Sequence, residues 1–215
     1  MNINVVFLLV QIGLIPTIIS LIKLFNGEKF YITFYLYIIV SYLIEVITNR
    51  LINAGYFNVA NIIVNVYFLL EFTILILLIG KIIGHKRINK IIILTSIVFW
   101  VIENTLLHKI QEAEKYFNIL SAIILFCHII FALILNLNKN YSSFFKEGNI
   151  VIMLSLLYNL SFRIVFEFLY YNYNGNTQII DSIGNINILV NFSTNILFIY
   201  CLSCIKNTKK LISSF

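Results

Sequence analysis

Residues 58–83 read NVANIIVNVYFLLEFTILILLIGKII, an almost unbroken apolar run in which Glu71 and Lys81 are the only charged side chains. A hydrocarbon core of about 30 Å is crossed by about 20 residues of helix at 1.5 Å per residue, so this stretch predicts a transmembrane helix. The rest of the chain repeats the pattern. Six further apolar runs, residues 4–25, 30–52, 88–107, 117–137, 149–173 and 179–205, are separated by short polar clusters. The first has no basic residue before it and no small-residue cleavage site, so it reads as a retained helix and not as a signal peptide. The expected fold is all-α: one polytopic membrane domain over residues 1–215, a bundle of seven transmembrane helices.

Composition agrees with a lipid solvent. Hydrophobic residues make up 60% of the chain and charged residues 11%, against roughly 45–50% and 25% in an ordinary soluble domain. Orientation follows from the basic residues, because cytoplasmic loops retain positive charge. Loops one, three and five and the carboxyl tail hold eleven: Lys23, Lys29, Lys81, Lys86, Arg87, Lys90, Lys139, Lys146, Lys206, Lys209 and Lys210. The opposite side holds three, Arg50, Lys109 and Lys115. The amino terminus is therefore expected outside and the carboxyl terminus in the cytoplasm, as a multi-pass protein of a cell inner membrane. The net charge of +6 is spread over short segments with no aromatic-interleaved basic domain, which argues against a nucleic-acid partner. Anionic lipid headgroups are the expected contact.

Ionisable groups inside membrane spans cost at least about 2.5–3.5 kcal/mol each, so they turn toward protein or water and often mark function. Glu45 and Glu103 each stand fifteen residues after the cytoplasmic start of their helices, Arg163 fourteen and Glu167 eighteen. At 1.5 Å per residue these four groups lie roughly 21–27 Å from the cytoplasmic edge, in the outer half. Helical spacing gives them polar companions: Asn49 beyond Glu45, Asn104 beside Glu103, and Asn187 and Asn191 on the seventh helix. A polar pocket is expected there, centred on Arg163 and lined by Glu45, Asn49, Glu103, Asn104, Glu167, Asn187 and Asn191. The same residues also fit a purely structural network, in which Arg163 and Glu167 neutralise one another one turn apart. Glu71, thirteen residues from the outer end of its helix, reads as a second and deeper site with Tyr67 one turn earlier.

Several chemistries find no support. Cys201 and Cys204 form a Cys-x-x-Cys, but no second pair or nearby histidines accompany it, so packing is the simpler reading. The seventh run has no lysine for a retinal Schiff base, and the lone His128 does not make a zinc site. No Gly-x-Ser-x-Gly elbow, glycine-rich phosphate loop or His-Glu-x-x-His is present. The expectation is a protein without enzymatic activity, catalytic residues, cofactor or metal.

The segment Tyr67-Phe68-Leu69-Leu70-Glu71-Phe72, the Glu103-Asn104 pair and the Asn191 to Asn195 spacing resemble an uncharacterised group of seven-helix integral membrane proteins of Bacteroidota. The resemblance covers most of the chain and implies the same helix count, but it implies no mechanism. Three functional readings stay open. One is a sensory or regulatory component whose pocket binds a small ligand or lipid and whose basic loops contact a cytoplasmic or membrane protein partner. Another is a small transporter or channel that uses the glutamates for a proton or cation. The third is an accessory membrane protein of a bacterial defence system.

The basic-residue asymmetry predicts that epitope tags at residue 1, within residues 53–57 and within residues 173–178 are reached by antibody from outside intact spheroplasts, while a carboxyl-terminal tag is not. A cytoplasmic amino terminus would contradict the expected orientation.

Overall fold

The computed structural model describes residues 3–26, 29–84, 86–107, 109–112, 116–137, 148–172 and 177–205. They form seven long helices: α1 Ile3–Asn26, α2 Ile32–Asn53, α3 Phe57–Ile83, α4 Lys86–Ile102, α5 Tyr116–Leu137, α6 Gly148–Asn172 and α7 Thr177–Cys204. A 3-10 turn at Lys29–Tyr31 leads into α2, and a π-helical turn at Glu103–Leu107 extends α4. No strand occurs among the described residues. In lipid no water satisfies backbone N–H and C=O groups, so runs this apolar must close their own hydrogen bonds as helices. Among the described residues six segments are long and apolar enough to cross a membrane: Lys29–Asn53, Phe57–Ile83, Arg87–Leu107, Tyr116–Leu135, Gly148–Tyr170 and Gly184–Cys204. The apolar stretch Ile12–Asn26 of α1 is shorter.

Tight turns join α2 to α3 and α3 to α4. Gly55 and Gly84 turn the chain with φ of +83° and +86°, a region that glycine enters without steric penalty. Gly84 ends α3 as its left-handed cap, its N–H donating to the Gly80 carbonyl at 2.8 Å. Lys23, Lys29, Lys81, Arg87 and Lys90 consequently gather at one end, the basic end, where Lys23 Nζ donates to the Ile205 carbonyl at 2.7 Å and ties α1 to α7.

Six helices close a ring in the order α1, α2, α3, α5, α6, α7 and back to α1, while α4 lies outside it against α3. The ring is filled toward the basic end by Phe34, Phe72, Leu75, Ile76, Ile79, Ile152 and Leu202, all fully buried. α4 instead turns Ile88, Ile91, Leu94, Val98 and Val101 outward, and the other helices likewise carry large exposed apolar residues, as a lipid-facing surface requires. At the end opposite the basic one, α3 holds the connection after α4. Asn65 Nδ2 donates to the carbonyls of Ile110 and Glu112 at 3.0 and 2.7 Å, and Asn61 Nδ2 to that of Gln111 at 2.9 Å.

The α3–α4 contact depends on one glycine. A Cβ on Gly80 would overlap the buried amide of Asn89 and stand 2.7 Å from its Cγ. Gly80→Ala is therefore expected to destabilise the bundle by about 1–3 kcal/mol, the range for overpacking. Adding Asn89→Ala should recover most of the loss in detergent melting curves. An unchanged melting temperature for Gly80→Ala would contradict this packing.

Candidate functional site

The site grows from one side chain. Arg163 lies fifteen residues into α6 from Gly148, and Glu71 lies twelve residues before the end of α3 at Ile83, so both stand about 18–22 Å from the basic end. Arg163 Nη1 and Glu71 Oε2 form an ion pair at 2.5 Å, with the two side chains only 14% and 7% exposed. Arg163 Nε donates to Asn118 Oδ1 of α5 at 2.9 Å, and Nη2 donates to the same oxygen. The guanidinium also lies face-on to Phe68 of α3, 4.5 Å from the ring centroid. A planar fork with delocalised charge suits such a place, since it donates to a carboxylate and an amide oxygen in its plane and packs an aromatic ring above it. Tyr37 of α2 donates its hydroxyl to Glu71 Oε1 at 3.4 Å, and Ser41 and Tyr67 share a 2.6 Å hydrogen bond beside it.

Above this pair, away from the basic end, the ring is not filled. A cavity of about 350 Å³ is bounded by α2, α3, α6 and α7. Its walls carry Ser41 and Glu45 from α2, Phe166 and Glu167 from α6, and Asn187, Asn191 and Asn195 from α7. Glu45, Asn187 and Asn191 are exposed, which marks the open side. A small extension of about 50 Å³ runs from Ser41, Glu45 and Asn195 to Gly13 and Thr17 of α1. The floor is closed by aromatic contacts: Phe198 meets Phe34 and Tyr37 edge-on, with centroids 5.7 and 5.9 Å apart.

The structure brings together Glu45, Arg163, Glu167, Asn187 and Asn191, and separates three residues expected with them. Asn49, one turn beyond Glu45, is not among the cavity's lining. Glu103 and Asn104 are both buried elsewhere. Glu103 accepts the backbone N–H groups of Tyr116 and Phe117 at 2.8 and 2.5 Å, so it caps the start of α5, where the helix dipole favours an anion. Asn104 Nδ2 donates to the Trp100 carbonyl at 3.0 Å. The reason is azimuth: matched depth says nothing of direction, and α4 lies outside the ring.

A second correction concerns Tyr67 and Glu71, which are not a separate deeper site. Both line the same cavity, and Glu71 is the ion-pair partner of Arg163. The depth expectation failed because α3 is 27 residues long, more than the hydrocarbon core requires. Counting from its outer end therefore placed Glu71 too deep. Tyr67 bonds Ser41, and it is Tyr37 that reaches Glu71. Glu167 interacts with Arg163 and with the Asn118 side chain without being the principal partner of either. Asn118, Tyr37 and Phe68 were not singled out from sequence. An asparagine two residues inside a helix looks like an ordinary end-of-helix polar group, and an aromatic face is indistinguishable from core.

The cysteines take no part in the cavity. Cys127, Cys201 and Cys204 are free thiols, and buried Cys201 Sγ lies 2.9 Å from Ser155 Oγ in the α6–α7 packing. Among the described residues no group of three or more His, Cys, Asp or Glu side chains is placed to hold a metal ion.

Fold and site together define a multi-pass helical membrane protein with a polar cavity inside the bundle, floored by a buried arginine–glutamate pair. No protein-family model matches the chain, and no curated protein or solved structure matches it significantly.

Removing one member of the pair strands the other. Arg163→Leu should cost about 3–5 kcal/mol of stability, because Glu71 is left in the bundle without its cation. The double variant Arg163→Leu with Glu71→Leu should be clearly milder in detergent melting. A double variant no more stable than Arg163→Leu would show that another group balances Arg163.

Proposed function

We propose that the chain spans a bacterial inner membrane seven times, with its amino terminus outside and its carboxyl terminus in the cytoplasm, and acts as a ligand-binding sensory or accessory component. In this reading a small molecule or lipid headgroup enters the cavity from the outer side. The short basic cytoplasmic loops then contact a partner protein, because the helical bundle carries no effector domain among its described residues. α1 is counted as the seventh span since it closes the ring between α2 and α7.

The observation that carries this reading is the cavity's asymmetry. Polar groups line it from Asn187 down to Glu71 and stop there, and the ring beyond is closed by buried Phe34, Phe72, Leu75 and Ile79. A pocket with one mouth suits binding. Transport of a proton or cation would need a polar path onward to the basic end, and the carboxyl groups supply none past Glu71. An accessory role in a defence system fits the same geometry and is distinguished by the genes that neighbour this one.

Native mass spectrometry of protein extracted from its own membrane should show a retained small molecule or lipid that is lost in Asn191→Phe, which fills the cavity. Proteoliposomes should pass protons and K⁺ no faster than empty vesicles. Protein without any adduct, or a flux abolished by Glu71→Gln, would overturn the binding reading.

A further inference from the structure

The cavity carries more acid than base. Among the described residues its charged lining is Glu45, Glu71, Glu167 and Arg163, so three carboxyl groups face one guanidinium. Glu71 is the ion-pair partner of Arg163, which leaves Glu45 without a cation and Glu167 with only a secondary share of Arg163. Among the described residues no lysine, second arginine or histidine lines the space. Among the described residues Glu45 has no side-chain hydrogen bond or ion pair, although it stands within a membrane-spanning helix, where an unmatched carboxylate is costly.

A compact metal ion does not meet this demand. The carboxyl groups come from different helices, and among the described residues no three of the ligating side chains converge. What surrounds them is broader: the rings of Phe166 and Phe198 and the amides of Asn187 and Asn191 in a space of about 350 Å³. Carboxylates beside aromatic faces and neutral amides recognise a diffuse positive charge attached to carbon. Arg163 adds a second feature, for Glu71 and Asn118 take three of its N–H bonds. A guanidinium has five, so two remain for an oxygen of the same ligand.

We propose that the cavity binds an organic ammonium, its charge held by Glu45 and Glu167 against Phe166 and Phe198, above the Arg163–Glu71 pair. This rests on the binding reading given above. The ammonium can be that of a soluble amine or of a phosphatidylethanolamine headgroup, whose phosphate would then meet the unused Arg163 donors.

The test uses the full chain in nanodiscs of phosphatidylglycerol, which has no ammonium. One arm compares 2-phenylethylamine with its neutral isostere 2-phenylethanol by melting temperature. The other adds phosphatidylethanolamine and measures by native mass spectrometry whether it is retained ahead of phosphatidylglycerol. The expected result is stabilisation by the amine and not the alcohol if the source is soluble, or preferential retention of phosphatidylethanolamine if the source is the lipid. In whichever arm responds, Glu45→Gln with Glu167→Gln should weaken binding at least tenfold. Should that double variant fail to fold, Glu45→Gln alone, at an exposed carboxyl group, should weaken it at least threefold. Equal binding of amine and alcohol with equal retention of both lipids would overturn the ammonium assignment and leave the ligand-binding reading standing. A response indifferent to these replacements would also overturn the assignment. Binding in neither arm would remove both.

Discussion

A guanidinium halfway along a membrane-spanning helix must find an anion and hydrogen-bond acceptors inside the protein, and the arrangement of this bundle follows from that requirement. Arg163 of α6 meets it with Glu71 of α3 and Asn118 of α5, which fixes three helices around one group. Tyr37 brings α2 to the same carboxylate. α3 and α5 then stand side by side although α4 lies between them in sequence, and α4 is left on the outside of the ring. The pair is a fold constraint before it is anything else, and replacing both members by apolar residues of similar volume removes the constraint with less harm than replacing one.

Once the pair is set, the bundle divides into two regions of unlike chemistry. Toward the basic end, buried Phe34, Phe72, Leu75 and Ile79 fill the ring. In the other direction the facing residues are asparagines, Ser41, Glu45 and Glu167, which do not fill the ring and leave the cavity. α7 shows the division on one helix: Asn187, Asn191 and Asn195 face the cavity at intervals of one turn, and Phe198 closes it. Polar side chains at this spacing would be wasted on lipid, and on the cavity side they keep a water-compatible space beside an ion pair that is itself nearly dry.

How much of this was legible in the chain depends on which coordinate is asked for. The extent of each helix was legible, because apolar runs such as residues 117–137 have a length set by the bilayer, and the expected helix ends lie within two residues of those of α1 to α7 once the π-helical turn at Glu103–Leu107 is counted with α4. Direction around each helix was not. Glu45 and Glu103 stand equally far along their expected spans, yet Glu45 lines the cavity while Glu103 caps α5, since only the packing order of the helices decides which way a polar face turns. Glu71 shows the remaining difficulty. Its partner is ninety-two residues away in sequence, and depth counted from the far end of an overlong helix placed it below the residue it touches. Asn118 carried no signal at all until Arg163 was seen to point at it.

A cavity that ends at the Arg163–Glu71 pair is tested most directly by cysteine accessibility in a background with Cys127, Cys201 and Cys204 replaced by alanine. A cysteine at Asn191 should react with a membrane-impermeant thiol reagent added on the side opposite the basic loops. One at Leu75, a single turn past Glu71 on α3, should react from neither side. Labelling at Leu75 from either side, or an inert cysteine at Asn191, would contradict a one-mouthed polar cavity closed by that pair.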